Sequence, residues 1–158
     1  MANNYYITGT DTDAGKTLIT QGLLHQANAQ GLRTLGLKPL AAGATLTTDG
    51  LRNDDALLLQ QAASVKLPYA QINPVILEPA IAPHIAASLA GRHLRINQLA
   101  GFVRGALLTP ADLRLVEGAG GWLTPVNARE GLNDLVKELQ LPVIWWWALS
   151  SAASIMRC

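Results

Sequence analysis

Two rhythms of apolar residues alternate along the chain. A short strand-like run at residues 5–8 (Tyr-Tyr-Ile-Thr) is followed by a helix-like stretch over residues 16–30, which Gly31 stops. Residues 33–38 (Arg-Thr-Leu-Gly-Leu-Lys) predict a second strand, ended by Pro39. A Gly/Thr-rich loop over residues 41–51 leads to a helix over about residues 53–63, with Asn53 as its cap. Residues 72–77 read as a strand, and residues 83–89 and 96–108 as helices. A short strand at residues 113–116 runs into Glu117-Gly118-Ala119-Gly120-Gly121. Residues 132–140 read as a helix with Asn133 and Asp134 in its first turn, and Pro142-Val143-Ile144 opens another apolar strand. Strands spaced by helices predict an α/β fold, a mostly parallel sheet with helices on both faces.

In such sheets ligands collect at the carboxyl ends of the strands. Gly9, Lys38 and Glu117 all fall at such ends, which predicts one shared site. The first end carries Gly9-Thr10-Asp11-Thr12-Asp13-Ala14-Gly15-Lys16-Thr17. A strand, a tight loop closing on Gly-Lys-Thr and a helix form a phosphate cradle. Loop amides and the helix start face an anion, the lysine adds a full charge, and the hydroxyl reaches magnesium. The fold is therefore P-loop NTPase-like and the chain is expected to handle ATP. The usual spacing asks for glycine at Thr10, whereas Gly9 lies one residue earlier. A related loop, Lys-Gly-Gly-x-Gly-Lys-Thr, would need a lysine at Asp11, so that class of ATPase is disfavoured.

Magnesium prefers oxygen ligands and needs one or two carboxylates beside Thr17. Glu117, after an apolar strand, has the character of a Walker-B acid, against a plainer reading as a solvated strand-end acid. Asp54 and Asp55 open a helix, where acids also serve the helix dipole; composition does not choose between them. Lys38 reads either as a solvated edge residue or, if the strand ends converge, as a second lysine facing the phosphates during phosphoryl transfer. His84 reads as a capping or packing residue, and His25 and His93 have no assigned role.

Charge and composition narrow the partners. The 158 residues carry a formal net charge of +1 with no basic stripe, which points away from nucleic acid. The single cysteine, Cys158, excludes an internal disulfide and fits a reducing, cytoplasmic setting. No basic-then-apolar leader opens the sequence. The apolar stretch at residues 141–156 is shorter than the roughly 20 residues that span a bilayer, so no membrane role is expected.

With Gly9 to Thr17, Lys38-Pro39, Leu51 to Ala56, Glu78-Pro79 with Pro83-His84, Val116 to Trp122 and Leu141 to Ile144 taken in order, the chain resembles the dethiobiotin synthetases, ATP-dependent ring-closing enzymes of biotin synthesis. The resemblance implies that carbon dioxide and 7,8-diaminononanoate form a carbamate, ATP phosphorylates it, and the second amine closes a cyclic urea. By position it implies that Lys16 binds phosphates and that Thr17, Asp55 and Glu117 hold Mg2+. Asp13, Ala14, Gly15, Lys16 and Thr17, with Asp55, Glu117, Gly118, Ala119 and Gly120, would line the nucleotide. Lys38 would stabilise the carbamate, and Thr12 and Ala42 would lie beside the substrate. A homodimer is implied as well. An amide synthetase or regulatory ATPase with a similar loop, or an inactive product that at most binds nucleotide, are the competing readings. Asp13 stands where a glutamate is common. Ala42 stands where a serine often contacts substrate, a loss of one hydrogen bond worth about 0.5–1.5 kcal/mol.

The character changes at Trp145. Residues 1–144 read as an incomplete P-loop nucleotide-binding domain, and residues 145–158 as an aberrant tail that departs from the family. One set of codons spelling this tail reads, in a shifted frame, Val-Val-Gly-Ala-Gln-Leu-Gly-Cys-Ile-Asn-His-Ala-Leu, which resembles the family's own continuation. A one-base deletion after Ile144 is therefore expected. Sequencing the gene across that codon checks it: a missing base relative to close relatives is the expected result, and an undisturbed frame removes the idea.

Overall fold

The computed structural model describes residues 3–10 and 15–147. Four strands, β1 (Asn3–Gly9), β2 (Thr34–Leu37), β7 (Leu113–Glu117) and β8 (Val143–Trp146), make one sheet in the order β2-β7-β1-β8, with every pairing parallel. The expected strands at residues 5–8, 33–38 and 113–116 are all present within a few residues of their predicted limits. The last strand runs two residues past Ile144, placing Trp145 opposite Thr8 and Trp146 opposite Gly9.

Strand pleating sorts the core into two layers. Tyr6 of β1, Leu35 and Leu37 of β2 and Val116 of β7 face one cluster, with α4 (Pro83–Leu89), α5 (Ile96–Leu107) and α6 (Leu132–Leu139) packed over it. The neighbouring Ile7 and Leu115 face a second cluster, shared with Leu24 of α1 (Lys16–Ala29) and with Leu59 and Ala62 of α2 (Asp54–Ala62). Helices therefore cover both faces, as the alternating pattern predicts. Helix α5 shows why the periodicity was informative: Ile96, Leu99, Ala100, Val103 and Ala106 are buried, one stripe at three- and four-residue steps. Among the described residues no helix is long and apolar enough to cross a membrane.

Between Leu35 and Leu37, Gly36 faces the α1/α2 side. A Cβ there would lie 3.1 Å from Leu24 Cδ1 and 3.2 Å from Leu59 Cβ. The missing side chain is what lets both helices sit down on β2.

Two stretches differ from expectation. Residues 41–51 are not a plain loop: β3 (Leu40–Ala42) pairs in parallel with β6 (Val75–Leu77), and β4 (Thr45–Thr47) forms a hairpin with β5 (Gly50–Arg52). Pro39, which lacks an N–H, ends pairing in the main sheet, and the chain continues into this smaller one. The expected strand at residues 72–77 is shorter. Its first residue, Ile72, ends the short helix α3 (Tyr69–Ile72), and only Val75–Leu77 is strand.

Gly36→Val should cost about 1–3 kcal/mol of stability through overpacking against Leu59 and Leu24. Urea unfolding checks it; an unchanged midpoint would show that the helices do not rest on this glycine.

Candidate active site

The pleat that separates the core layers also aims the site. Glu117 follows Leu115 by two residues, so its side chain projects to the same face, toward the first turns of α1 and α2. Lys38 has the same relation to Gly36. The expected convergence of strand ends is seen directly. Lys38 Nζ donates to Glu117 Oε1 at 2.7 Å, to Asp55 Oδ2 at 2.8 Å and, more weakly, to the Gly118 carbonyl at 3.5 Å. Thr17 Oγ1 donates to Glu117 Oε1 at 2.8 Å. Lys38 is 4% exposed and Glu117 fully buried, which excludes the solvated-edge reading of both.

Helix α1 starts on Gly15, whose φ of 87° is left-handed, a conformation that favours glycine. Gly15 itself supplies no side-chain cap, and a helix start of this kind presents backbone amides to an anion. Lys16 is buried with its aliphatic stem near Gly9: a Cβ on that glycine would lie 3.1 Å from Lys16 Cγ. The Lys16 charge also reaches Asp55 and helps hold its carboxylate ionised. Thr12, Asp13 and Ala14 lie outside the described residues.

Helix α2 resolves the choice that composition left open. Asn53 accepts a hydrogen bond from Ala56 N at 3.2 Å and so fixes the helix start. From there Asp55 turns inward to Lys38, while Asp54 is exposed. Ala42 lines a cleft of about 440 Å3 together with Lys38, Asn53, Asp55, Ala119 and Gly120. The cleft thus gathers residues from β3, α2 and the turn after β7.

Burial pulls the Lys38 ammonium down, but the Glu117 and Asp55 carboxylates outweigh it and raise its pKa above the ordinary lysine value of 10.5. For Asp55, burial pushes the carboxyl up. The Lys38 charge, hydrogen bonds from Lys38 and Thr17, and the Lys16 charge overcome that and hold it below 3.8. The signs follow by linkage. The Lys38 contribution is complete below 10.5 and is lost as pH rises through its raised pKa. The Asp55 contribution is complete above 3.8 and is lost as pH falls through its lowered pKa. The pair is intact across the neutral range.

Sequence reasoning missed the residues that hold Lys38 in place. Asn73 Nδ2 donates to the Lys38 carbonyl at 2.7 Å, and Lys38 N donates to the Ile72 carbonyl at 2.9 Å. Tyr69 Oη donates to Asn73 Oδ1 at 3.0 Å and accepts from Asn53 N at 2.8 Å. One polar chain therefore joins the Lys38 backbone to the start of α2, which carries Asp55. No local pattern pointed to them, since the contacts to Asn53 and Lys38 span 16 and 35 residues of sequence.

The donor set suits a hard cation. Glu117 Oε2 is buried without a hydrogen-bond partner, beside the Thr17 hydroxyl and close to Asp55 through their shared Lys38. No cluster of three or more His, Cys, Asp or Glu stands among the described residues. Two acids and a hydroxyl match an ion that takes few protein ligands and keeps water and phosphate oxygens.

Lys38→Met should destabilise the chain by about 3–5 kcal/mol, because Glu117 then lies buried without its ammonium. The double variant Lys38→Met/Glu117→Gln should recover a large part of that loss. Denaturant unfolding of the two single variants and the double measures the coupling; strictly additive costs would show that the pair is not one unit.

The family model described as an AAA domain matches residues 3–146. Relatives named ATP-dependent dethiobiotin synthetase BioD include those of Marinobacter nauticus, 52% identical over 142 residues, and Cellvibrio japonicus, 57% identical over 140. These matches cover 90% and 89% of this chain and 61% of each relative. The Chromohalobacter salexigens protein of the same name is 54% identical over 140 residues, covering 89% of this chain and 59% of its own length. The chain thus spans about three-fifths of the length of the curated relatives it matches. Among solved structures, the signal recognition particle receptor FtsY from Elizabethkingia anophelis is 20% identical with a TM-score of 0.42, over 89% of this chain and 37% of that one. The match across residues 3–146 means that the chain belongs to the AAA-domain family, and in sequence it is a relative of the ATP-dependent dethiobiotin synthetases.

Proposed function

We propose that the site carries out ATP-dependent closure of a cyclic urea: 7,8-diaminononanoate and CO2 give dethiobiotin, with ADP and phosphate released. The observation that carries this reading is the buried Lys38 ammonium between Glu117 and Asp55, one side chain away from Thr17 of the phosphate loop. A phosphoryl donor at the loop and an anionic acceptor at Lys38 would then meet across the cleft.

The steps balance without a redox partner. One amine adds to CO2 and loses a proton, giving a carbamate. A carbamate oxygen attacks the γ-phosphorus and ADP leaves. The second amine attacks the carbonyl carbon and loses a proton, which leaves with the departing phosphate or to water, and the ring closes. In this reading Lys16 and the loop amides hold the phosphates, with Asp13, Ala14, Gly15 and Thr17 around them. Lys38 offsets charge on the carbamate and on its phosphorylated form, where a fixed cation favours the more anionic state. The turn from Gly118 to Gly120 borders the nucleotide, and Thr12 and Ala42 border the amine substrate. Thr17, Asp55 and Glu117 would hold Mg2+, which neutralises phosphate charge when bound. A cytoplasmic homodimer fits this reading.

A second reading has support of its own: this polypeptide binds nucleotide without closing the ring. Strand β8 pairs only with β1 among the described residues, and its end carries Trp145 and Trp147 exposed at 46% and 68%. Exposed tryptophans beside a strand at the end of the described sheet favour self-association.

A coupled assay for ADP release, run with and without diaminononanoate and bicarbonate, separates the readings. Release that needs both supports ring closure. Release that ignores the amine indicates a plain ATPase, and nucleotide binding without release supports the second reading. Lys38→Met should lower ring closure by about 100-fold or more. Full activity in that variant would contradict the role given to Lys38.

A further inference from the structure

A second cleft lies next to the Lys38 cleft. It encloses about 790 Å3, and the two share a wall: Pro83 and Pro125 line one, His84 and Val126 the other. That volume is within the roughly 300–1,000 Å3 of small-molecule sites. Nothing in the proposed reaction uses it.

Its lining is unusually cationic for a chain of net charge +1. Arg92 and Arg95 come from the turn between α4 and α5, and Arg129 faces them from the turn before α6. All three are exposed. Arg92 gives one N–H to the Ile76 carbonyl at 3.0 Å and keeps the rest of its fork open. The Arg95 and Arg129 guanidinium groups have no hydrogen-bond or ion-pair partner among the described residues. The one acid in the lining, Glu130, is turned to local work, with Oε2 accepting from Asn127 Nδ2 and from Ile96 N. His93 adds a donor at the rim, and His84 Nδ1 is buried there without a partner. Ala87, Leu94 and Val126 supply an apolar floor.

Like charges repel; the Glu130 carboxylate, bonded only to neutral donors, offsets one of the three arginine charges around the hollow, and the remaining excess is balanced best by an anion from outside. Planar guanidinium forks match carboxylate and phosphate oxygens in pairs. One such group would satisfy one fork; several forks on opposing turns call for several groups. We propose that this cleft binds a small multivalent anion, with two or more carboxylate or phosphate groups on Arg92, Arg95 and Arg129 and a short apolar body on the floor.

The test titrates the 158-residue chain, carrying Lys16→Gln to suppress the phosphate loop, with pyrophosphate and separately with citrate at constant ionic strength. Amide chemical shifts are followed, with equilibrium dialysis of labelled probe as a second measurement that tolerates self-association. Shifts centred on residues 92–95 and 127–130 are expected. Arg95→Gln/Arg129→Gln should weaken binding by about tenfold or more, the loss of two charge-assisted contacts. Because both side chains are exposed and unpartnered, the fold should be unaffected. Binding of pyrophosphate alone assigns phosphate chemistry, binding of citrate alone assigns carboxylate chemistry, and binding of both assigns recognition of charge. No binding of either probe at millimolar concentration, shifts centred elsewhere, or equal affinity in the double variant would overturn the proposal.

Discussion

A lysine charge buried at the meeting point of β2, α2 and β7 is the constraint around which the rest is arranged. Taking an ammonium out of water costs several kcal/mol unless carboxylates and carbonyls replace the solvent. Lys38 obtains that replacement from Asp55 at the start of α2 and from Glu117 and the Gly118 carbonyl at the end of β7, two parts of the chain far apart in sequence. Each partner must therefore be delivered accurately, and the scaffold can be understood as the means of delivery. Parallel pairing of β2 with β7 sets Lys38 and Glu117 at adjoining strand ends, and the cap at Asn53 sets Asp55.

The same balance explains how the site is poised for chemistry. Both acids are committed to Lys38, yet Glu117 keeps one buried oxygen unpaired. A cation arriving with a nucleotide would find that oxygen, the Thr17 hydroxyl and the nearby Asp55. In the proposed reaction, Lys38 would then face the anionic substrate while Thr17, Asp55 and Glu117 would hold the cation. Under that proposal, metal, lysine and phosphate would share one electrostatic balance in the cleft beside Lys38.

How much of this was legible in the sequence depends on the range of the interaction. Gly15-Lys16-Thr17 between a strand and a helix announced the loop, because its chemistry is local. Glu117 was readable from the apolar strand before it. Asp55 was not separable from Asp54 on composition, since both open the same helix and only the tertiary position of Lys38 distinguishes them. The hairpin β4–β5 escaped because its strands are three residues each, too short for a period to be read. Asn73 and Tyr69 were invisible for another reason: their contacts to Lys38 and Asn53 are made only once the small sheet and α3 are in place.

The most direct measurement is the position of a metal relative to these side chains. Crystals of the chain grown with Mn2+ and a non-hydrolysable ATP analogue, measured at the manganese edge, give that position without assumptions about turnover. An anomalous peak bonded to Thr17 Oγ1 and to the Glu117 or Asp55 carboxylate, with the phosphates on Lys16, is the predicted result. A nucleotide and its metal bound away from Glu117 and Lys38 would contradict the account at its centre.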